Sequence, residues 1–216
     1  MMFRILSIFL LIFLCGCIET QNCTIIHKDG SCTEKVVIKA PNILKSDGID
    51  SKLAQLEENG YKYTVESTDS VQSVTISKTY KSIKEMYSGK HFDPMTNELF
   101  SSKNNLNYSD FNLFFIRKIV FKETMPPSKL NMAELNFLKP VISNKRIIEM
   151  PCAISHSNAD SLDSKTNTAV WDITSEKTEK GFTFEVECFY INYTAIIILF
   201  LVIVIIFMLL SKKKSK

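Results

Sequence analysis

The feature that most constrains this chain is INYTAIIILFLVIVIIFMLL, residues 191–210, which carries no charged side chain. As an α-helix at 1.5 Å per residue, that length covers the ~30 Å hydrocarbon core of a bilayer. Lys212, Lys213, Lys214 and Lys216 follow directly, and a lysine cluster beside a span favours the cytoplasmic side. Tyr190 and Tyr193 fall where interfacial aromatic residues sit. The sequence therefore predicts a single transmembrane helix over 191–210 and a cytoplasmic lysine-rich tail over 211–216. The expected location is the cell membrane, single-pass, with the bulk of the chain extracytoplasmic.

The amino-terminal end carries a second apolar run. Arg4 supplies a positive n-region, and Ile5 to Leu14 is interrupted only by Ser7. Roughly ten residues suit the h-region of a secretory signal and fall short of the ~20 needed to span. Residues 1–16 are thus expected to be a signal peptide. Leu14-Cys15-Gly16-Cys17 resembles a lipobox, in which Cys17 is lipidated and becomes the first residue. The other reading is ordinary signal cleavage that leaves Cys17 a plain thiol.

Between the two ends lie residues 17–190, enough for one domain with its own core. The whole chain carries a net charge of +3. Setting aside Arg4 and the four tail lysines leaves 21 basic against 23 acidic residues. No basic excess remains to attract nucleic acid. No Gly/Ser-rich or Pro-rich linker and no internal repeat divides the segment.

Cys23, Cys32, Cys152 and Cys188 form an even set in an oxidising compartment, which points to disulfides. Their long spacings, the lack of C-x-x-C and the scatter of His27, His91 and His156 disfavour a metal centre. CTIIHKDGSCTEKVVIKA reads as a hairpin turning at Asp29-Gly30, with His27 facing Cys32 and Cys23 facing Val36. That register holds Cys23 and Cys32 about 13 Å apart along the strands, beyond the ~7 Å a disulfide allows between Cα atoms. The expected pairs are Cys23–Cys188, near the membrane, and Cys32–Cys152, further out. Asn22, Asn107 and Asn192 each begin an N-x-S/T glycosylation pattern. Asn107, in a polar stretch, is the best acceptor and Asn22 the next. Asn192 lies too close to the expected bilayer edge.

Hydrophobic periodicity places the remaining elements. Ile49, Leu53 and Leu56 share a helical face. YKYTVES and SVQSVTISKTY alternate as strands joined near Asp69-Ser70. Ser82 and Glu85 have capping-box spacing ahead of a short helix. Residues 88–110 read as a long loop, and DFNLFFIRKIVFKET as one long strand or two short ones. A brief helix is expected over 130–138. RIIEMPCAISHSN, TAVWDITS and GFTFEVECFY read as strands, with SEKTEKG as the last turn. Trp171, the only tryptophan, is expected to fill the core. The expected fold class is α+β: one antiparallel sheet with one or two helices on one face, plus the single C-terminal transmembrane helix.

The order of a lipobox cysteine, an early hairpin, NGYKYTVE, VTISKTYKSIKEM and MPCAISHSNADSLDSKTNTAVWDI, then a closing strand and a terminal apolar run, resembles the LppM-like family of prokaryotic envelope lipoproteins. Met150-Pro151, Ser157-Asn158 and Val170-Trp171-Asp172-Ile173 carry most of the likeness. The four cysteines and the Asn/Ser-rich stretch depart from that pattern. The resemblance implies an envelope-exposed α+β domain held at the membrane, with a role in binding lipids or glycolipids. It brings no catalytic residues and no cofactor.

No G-x-S-x-G, H-E-x-x-H or P-loop is present. The sequence thus reads as a membrane-anchored cell-surface protein, a non-catalytic binding or structural module rather than an enzyme. The alternative is a lipid- or glycolipid-binding module, whose pocket the 15 phenylalanines could line. Expected partners are the lipid bilayer and an envelope protein or glycolipid.

Overall fold

A computed structural model describes residues 18–41, 54, 56–88, 90–93, 98–101, 105–113, 115–127 and 142–214. The expected signal peptide, Cys17, most of the first predicted helix and the predicted helix over 130–138 lie outside the described residues.

Strands dominate. In chain order they are β1 (Ile18–Ile26), β2 (Cys32–Pro41), β3 (Lys62–Ser67), β4 (Val71–Tyr80), β5 (Lys90–Asp93), β6 (Glu98–Ser101) and β7 (Asn105–Leu113). β8 (Ile116–Met125), β9 (Ile142–Glu149), β10 (Ile154–Ser157), β11 (Ser161–Asp163), β12 (Thr168–Asp172) and β13 (Phe182–Ile191) follow. Helices α1 (Ile83–Ser88), α2 (Ser175–Lys180) and α3 (Tyr193–Lys214) stand among them. A seven-stranded sheet has the order β11-β12-β9-β1-β2-β4-β3, a four-stranded sheet β10-β13-β8-β7, and β5 pairs with β6.

The expected α+β class is thereby corrected. The chain is mostly β, built on two main sheets rather than one, and the larger sheet is mixed because β1 and β9 run parallel. Residues 88–110, expected as a loop, contain β5, β6 and the first part of β7. The expected last turn, SEKTEKG, is helix α2, whose Thr174 side chain accepts the Lys177 N–H. Six residues are too few to display a 3.6-residue period.

Alternation explains why the sheets pack. Along β1 the buried residues are Thr20, Thr24 and Ile26, one face of the strand. Along β13 they are Phe184, Val186 and Cys188. These rows meet in one core with Ile119 and Phe121 of β8, Ile148 of β9 and Trp171 of β12. Trp171 is fully buried, edge-on to Phe184 with ring centroids 5.5 Å apart. A smaller cluster of Leu56, Tyr61 and Ile76 covers the β2-β4-β3 side of the larger sheet.

The first hairpin turns one residue differently from expectation. Cys23 pairs with Lys35 and Ile26 with Cys32, where the sequence suggested Cys23 with Val36. His27 N–H donates to Ser31 O, and Gly30 adopts φ +89°. A left-handed residue closing a three-residue loop is the common way to fit one more residue into such a turn. Because side chains alternate, the shift puts Cys32 opposite the buried Ile26.

At the carboxyl end β13 continues through Ile191, so the expected helix start is displaced to Tyr193. Among the described residues no helix is long and apolar enough to cross a membrane. The expected transmembrane helix, and the single-pass localisation drawn from it, are not supported.

Candidate functional site

The cysteines pair differently from expectation. Cys152 bonds Cys188, with Cα atoms 5.6 Å apart, while Cys23 and Cys32 are free thiols. Cys188 lies opposite Ile154 on β13, which brings it to the β9–β10 link that carries Cys152. Cys32 is wholly buried, its thiol 3.8 Å from the Met86 sulfur. Burial, and next the Glu34 charge, push that thiol up to about 12. Burial likewise raises Cys23, against the opposing pull of Arg146 and Lys35. The two expected glycan acceptors also differ. Asn107 is exposed on β7. Asn22 is half-buried on the inward row of β1, between Val36 and Arg146, and its carbonyl accepts from Arg146.

The sandwich interior holds a charged network that sequence reading passed over. Arg146 of β9 donates Nε–H to Glu123 Oε2 of β8 at 2.9 Å. Its Nη1 donates to Asn22 O and Ile147 O, and its Nη2 to Thr24 Oγ1 and Tyr87 OH. All five guanidinium N–H groups thus have acceptors. Tyr87 also bonds Glu123, and burial with the Glu123 charge drives its pKa well up. This network is enclosed and ties the sheets together.

The reachable chemistry lies at one end of the four-stranded sheet. Across three strands Asn112, Arg117 and Tyr190 form one row. The facing rows on the other side are Leu113-Ile116-Ile191 and Phe111-Lys118-Phe189. Arg117 forks onto Asp110, Nε to Oδ1 at 3.0 Å and Nη2 to Oδ2 at 2.7 Å, and its Nη1 donates to Lys28 O. The Asp110 carboxylate holds Arg117 above its ordinary pKa. A cavity of about 240 Å³ opens here. Lys28 comes to it from the first hairpin, Asn112, Leu113, Ile116 and Arg117 from the β7–β8 hairpin, and Tyr190 and Asn192 from the junction of β13 with α3. Pro151 and the bonded Cys152 complete the wall. Asn192 fixes the junction: its N–H donates to Phe115 O, and its Oδ1 accepts from Ala195 N–H at 3.1 Å. The available signal for Arg117 was one arginine inside the apolar run FFIRKIVF.

Phe111 and Leu113 are each 55% exposed beside the cavity, and Ile116, Phe189 and Tyr190 are exposed with them. The described part of α3 is exposed around its circumference, from Ile196 to Ile206. Among the described residues no three His, Cys, Asp or Glu side chains are grouped to hold a metal.

The comparisons with known proteins are sparse. No family model matches the sequence, and no curated protein matches it. Among solved structures, the folded domain of Mycobacterium tuberculosis LppM, determined by NMR, aligns over 84% of this chain and 94% of its own, with a TM-score of 0.44 and 12% identity. Values that low do not place the chain in a family.

Proposed function

We propose that this chain is a non-catalytic binding module that works against a lipid surface, contacting it with the apolar end of the four-stranded sheet. One observation carries the reading: the rows Phe111-Lys118-Phe189 and Leu113-Ile116-Ile191 continue directly into α3, which exposes apolar side chains on every side. An exposed apolar patch of this kind marks an interaction surface. Burying each large side chain is worth about 1.5–3 kcal/mol. The Cys152–Cys188 bond suits an oxidising compartment and fits an envelope setting. The cavity of about 240 Å³ at this end is smaller than the roughly 300–1,000 Å³ that encloses a whole lipid-sized ligand. This end of the sheet is thus suited to contacting lipid rather than engulfing it.

The test is photo-crosslinking of the full chain reconstituted in phosphatidylcholine vesicles. Benzoylphenylalanine at Phe111 or Phe189 should yield phospholipid adducts by mass spectrometry. The same probe at Val65, on the edge strand β3, should not. Equal adducts at all three positions, or none at Phe111 and Phe189, would reject the reading.

A further inference from the structure

We infer that the cavity between the two hairpins and the start of α3 is a binding site for the anionic phosphodiester headgroup of a membrane lipid, an inference that rests on the lipid-facing reading above. Its wall carries two cations, Lys28 and Arg117, and no carboxylate. Asp110 engages Arg117 through Nε and Nη2, and the Lys28 carbonyl takes Nη1. A guanidinium has five N–H groups, so two remain for a ligand. Asp29, the other nearby carboxylate, accepts from the Ser31 N–H and hydroxyl through Oδ1 and acts on Arg117 only through its charge. Asn192 uses its Oδ1 to cap α3, which leaves its amide N–H pair as donors. Asn112 and Tyr190 also line the wall. Donors and cations converging in a half-enclosed space are what a phosphate diester requires.

Size and surroundings select the source of that phosphate. About 240 Å³ admits a small headgroup and leaves acyl chains outside. Leu113 and Ile116 line the same cavity and also belong to the exposed apolar rows. A headgroup seated against Lys28 therefore has its chains led onto the surface that faces the bilayer. Free phosphate would use the cations and gain nothing from the apolar rim.

The experiment is native mass spectrometry of the full chain released from maltoside micelles, with dihexanoyl-phosphatidylglycerol, dihexanoyl-phosphatidylcholine or inorganic phosphate added. One equivalent of phosphatidylglycerol should be retained, at least fivefold more than phosphatidylcholine. Inorganic phosphate at the same concentration should not displace it. Lys28→Ala removes an exposed ammonium and should lower retention at least fivefold, with an unchanged unfolding midpoint. Equal retention of the two lipids, displacement by phosphate, or unaltered retention by Lys28→Ala would each overturn the site. Lipid adducts at Phe111 are independent of the cavity, so their persistence would separate failure of this site from failure of the lipid-facing reading.

Discussion

Arg146 and Glu123 face each other from β9 and β8, with Nε and Oε2 2.9 Å apart and both side chains about one-tenth exposed. They belong to different sheets, so this ion pair spans the sandwich. Removing one partner strands the other charge in a buried site, at a cost of about 3–5 kcal/mol. Glu123→Ala should lower stability by that amount in urea denaturation followed by Trp171 fluorescence. Glu123→Leu with Arg146→Met removes both charges and should cost less than either single change. A double variant as unstable as the sum of the singles would show that the pair is not coupled.

Asn158 is the second tie. Its Oδ1 accepts from Trp171 Nε1 at 3.0 Å and from Glu185 N at 2.9 Å, and its Nδ2 donates to Thr183 O at 2.7 Å. Asn158→Ala takes away the acceptor of the buried Trp171 indole N–H, and such a loss costs about 1–3 kcal/mol. Asn158→Asp keeps the acceptor and should recover part of the stability. Thermal midpoints, with hydrogen exchange of the indole N–H by NMR, provide the check.

A non-reducing peptide map should return Cys152 joined to Cys188, with Cys23 and Cys32 as thiols. The bond closes a loop with a sequence separation of 36, for which chain entropy gives about 4 kcal/mol. Cys152→Ala with Cys188→Ala should lose stability on that scale. Cys32, being wholly buried, should react with a thiol reagent only as fast as the domain opens, while half-buried Cys23 reacts sooner.

The pH profile should slope at both ends. Partial burial pushes Asp160 upward, but the Lys177 ammonium and the Asp172 N–H outweigh it and hold its pKa below the ordinary value. Its contribution is therefore present above the unfolded pKa and lost as pH falls through the folded one, below about pH 4. Cys32 acts in the opposite range, its folded pKa standing near 12 against 9.0 for an unperturbed thiol. Above pH 9 the unfolded chain releases that proton and the folded chain does not, so stability declines as pH rises toward 12. Cys32→Ala should flatten the alkaline limb measured by urea midpoints across pH 8–11. Asp160→Asn should flatten the acid limb.

Much of the local architecture was legible in the chain. Alternation in CTIIHKDGSCTEKVVIKA marked β1 and β2, and the same signal marked β3, β4, β12 and β13. Capping spacing at Ser82 and Glu85 marked α1, where the Glu85 N–H donates to Ser82 Oγ at 3.2 Å. The fate of Trp171 followed from its size and its strand. The candidate site was not legible. Lys28, Arg117 and Tyr190 are 89 and 73 residues apart in turn, and nothing in their neighbourhoods announces that they share a wall. The cysteine pairing failed for a related reason: it rested on an assumed bilayer beside Cys23 and Cys188, whereas the β9–β10 link delivers Cys152 to Cys188.

The sequence by itself determined that β1 to β4, β12 and β13 are extended and which face of each is apolar, because these depend on side-chain alternation and on residues a few positions apart. The tertiary structure alone decided that β1 runs parallel to β9, that two sheets enclose one core, and that Arg146 meets Glu123. Those outcomes are set by free energies summed over many cross-strand and sheet-to-sheet contacts between distant segments. The one-residue shift at Gly30 shows how small the local difference is: a single left-handed residue changed which side chains face each other along the whole first hairpin.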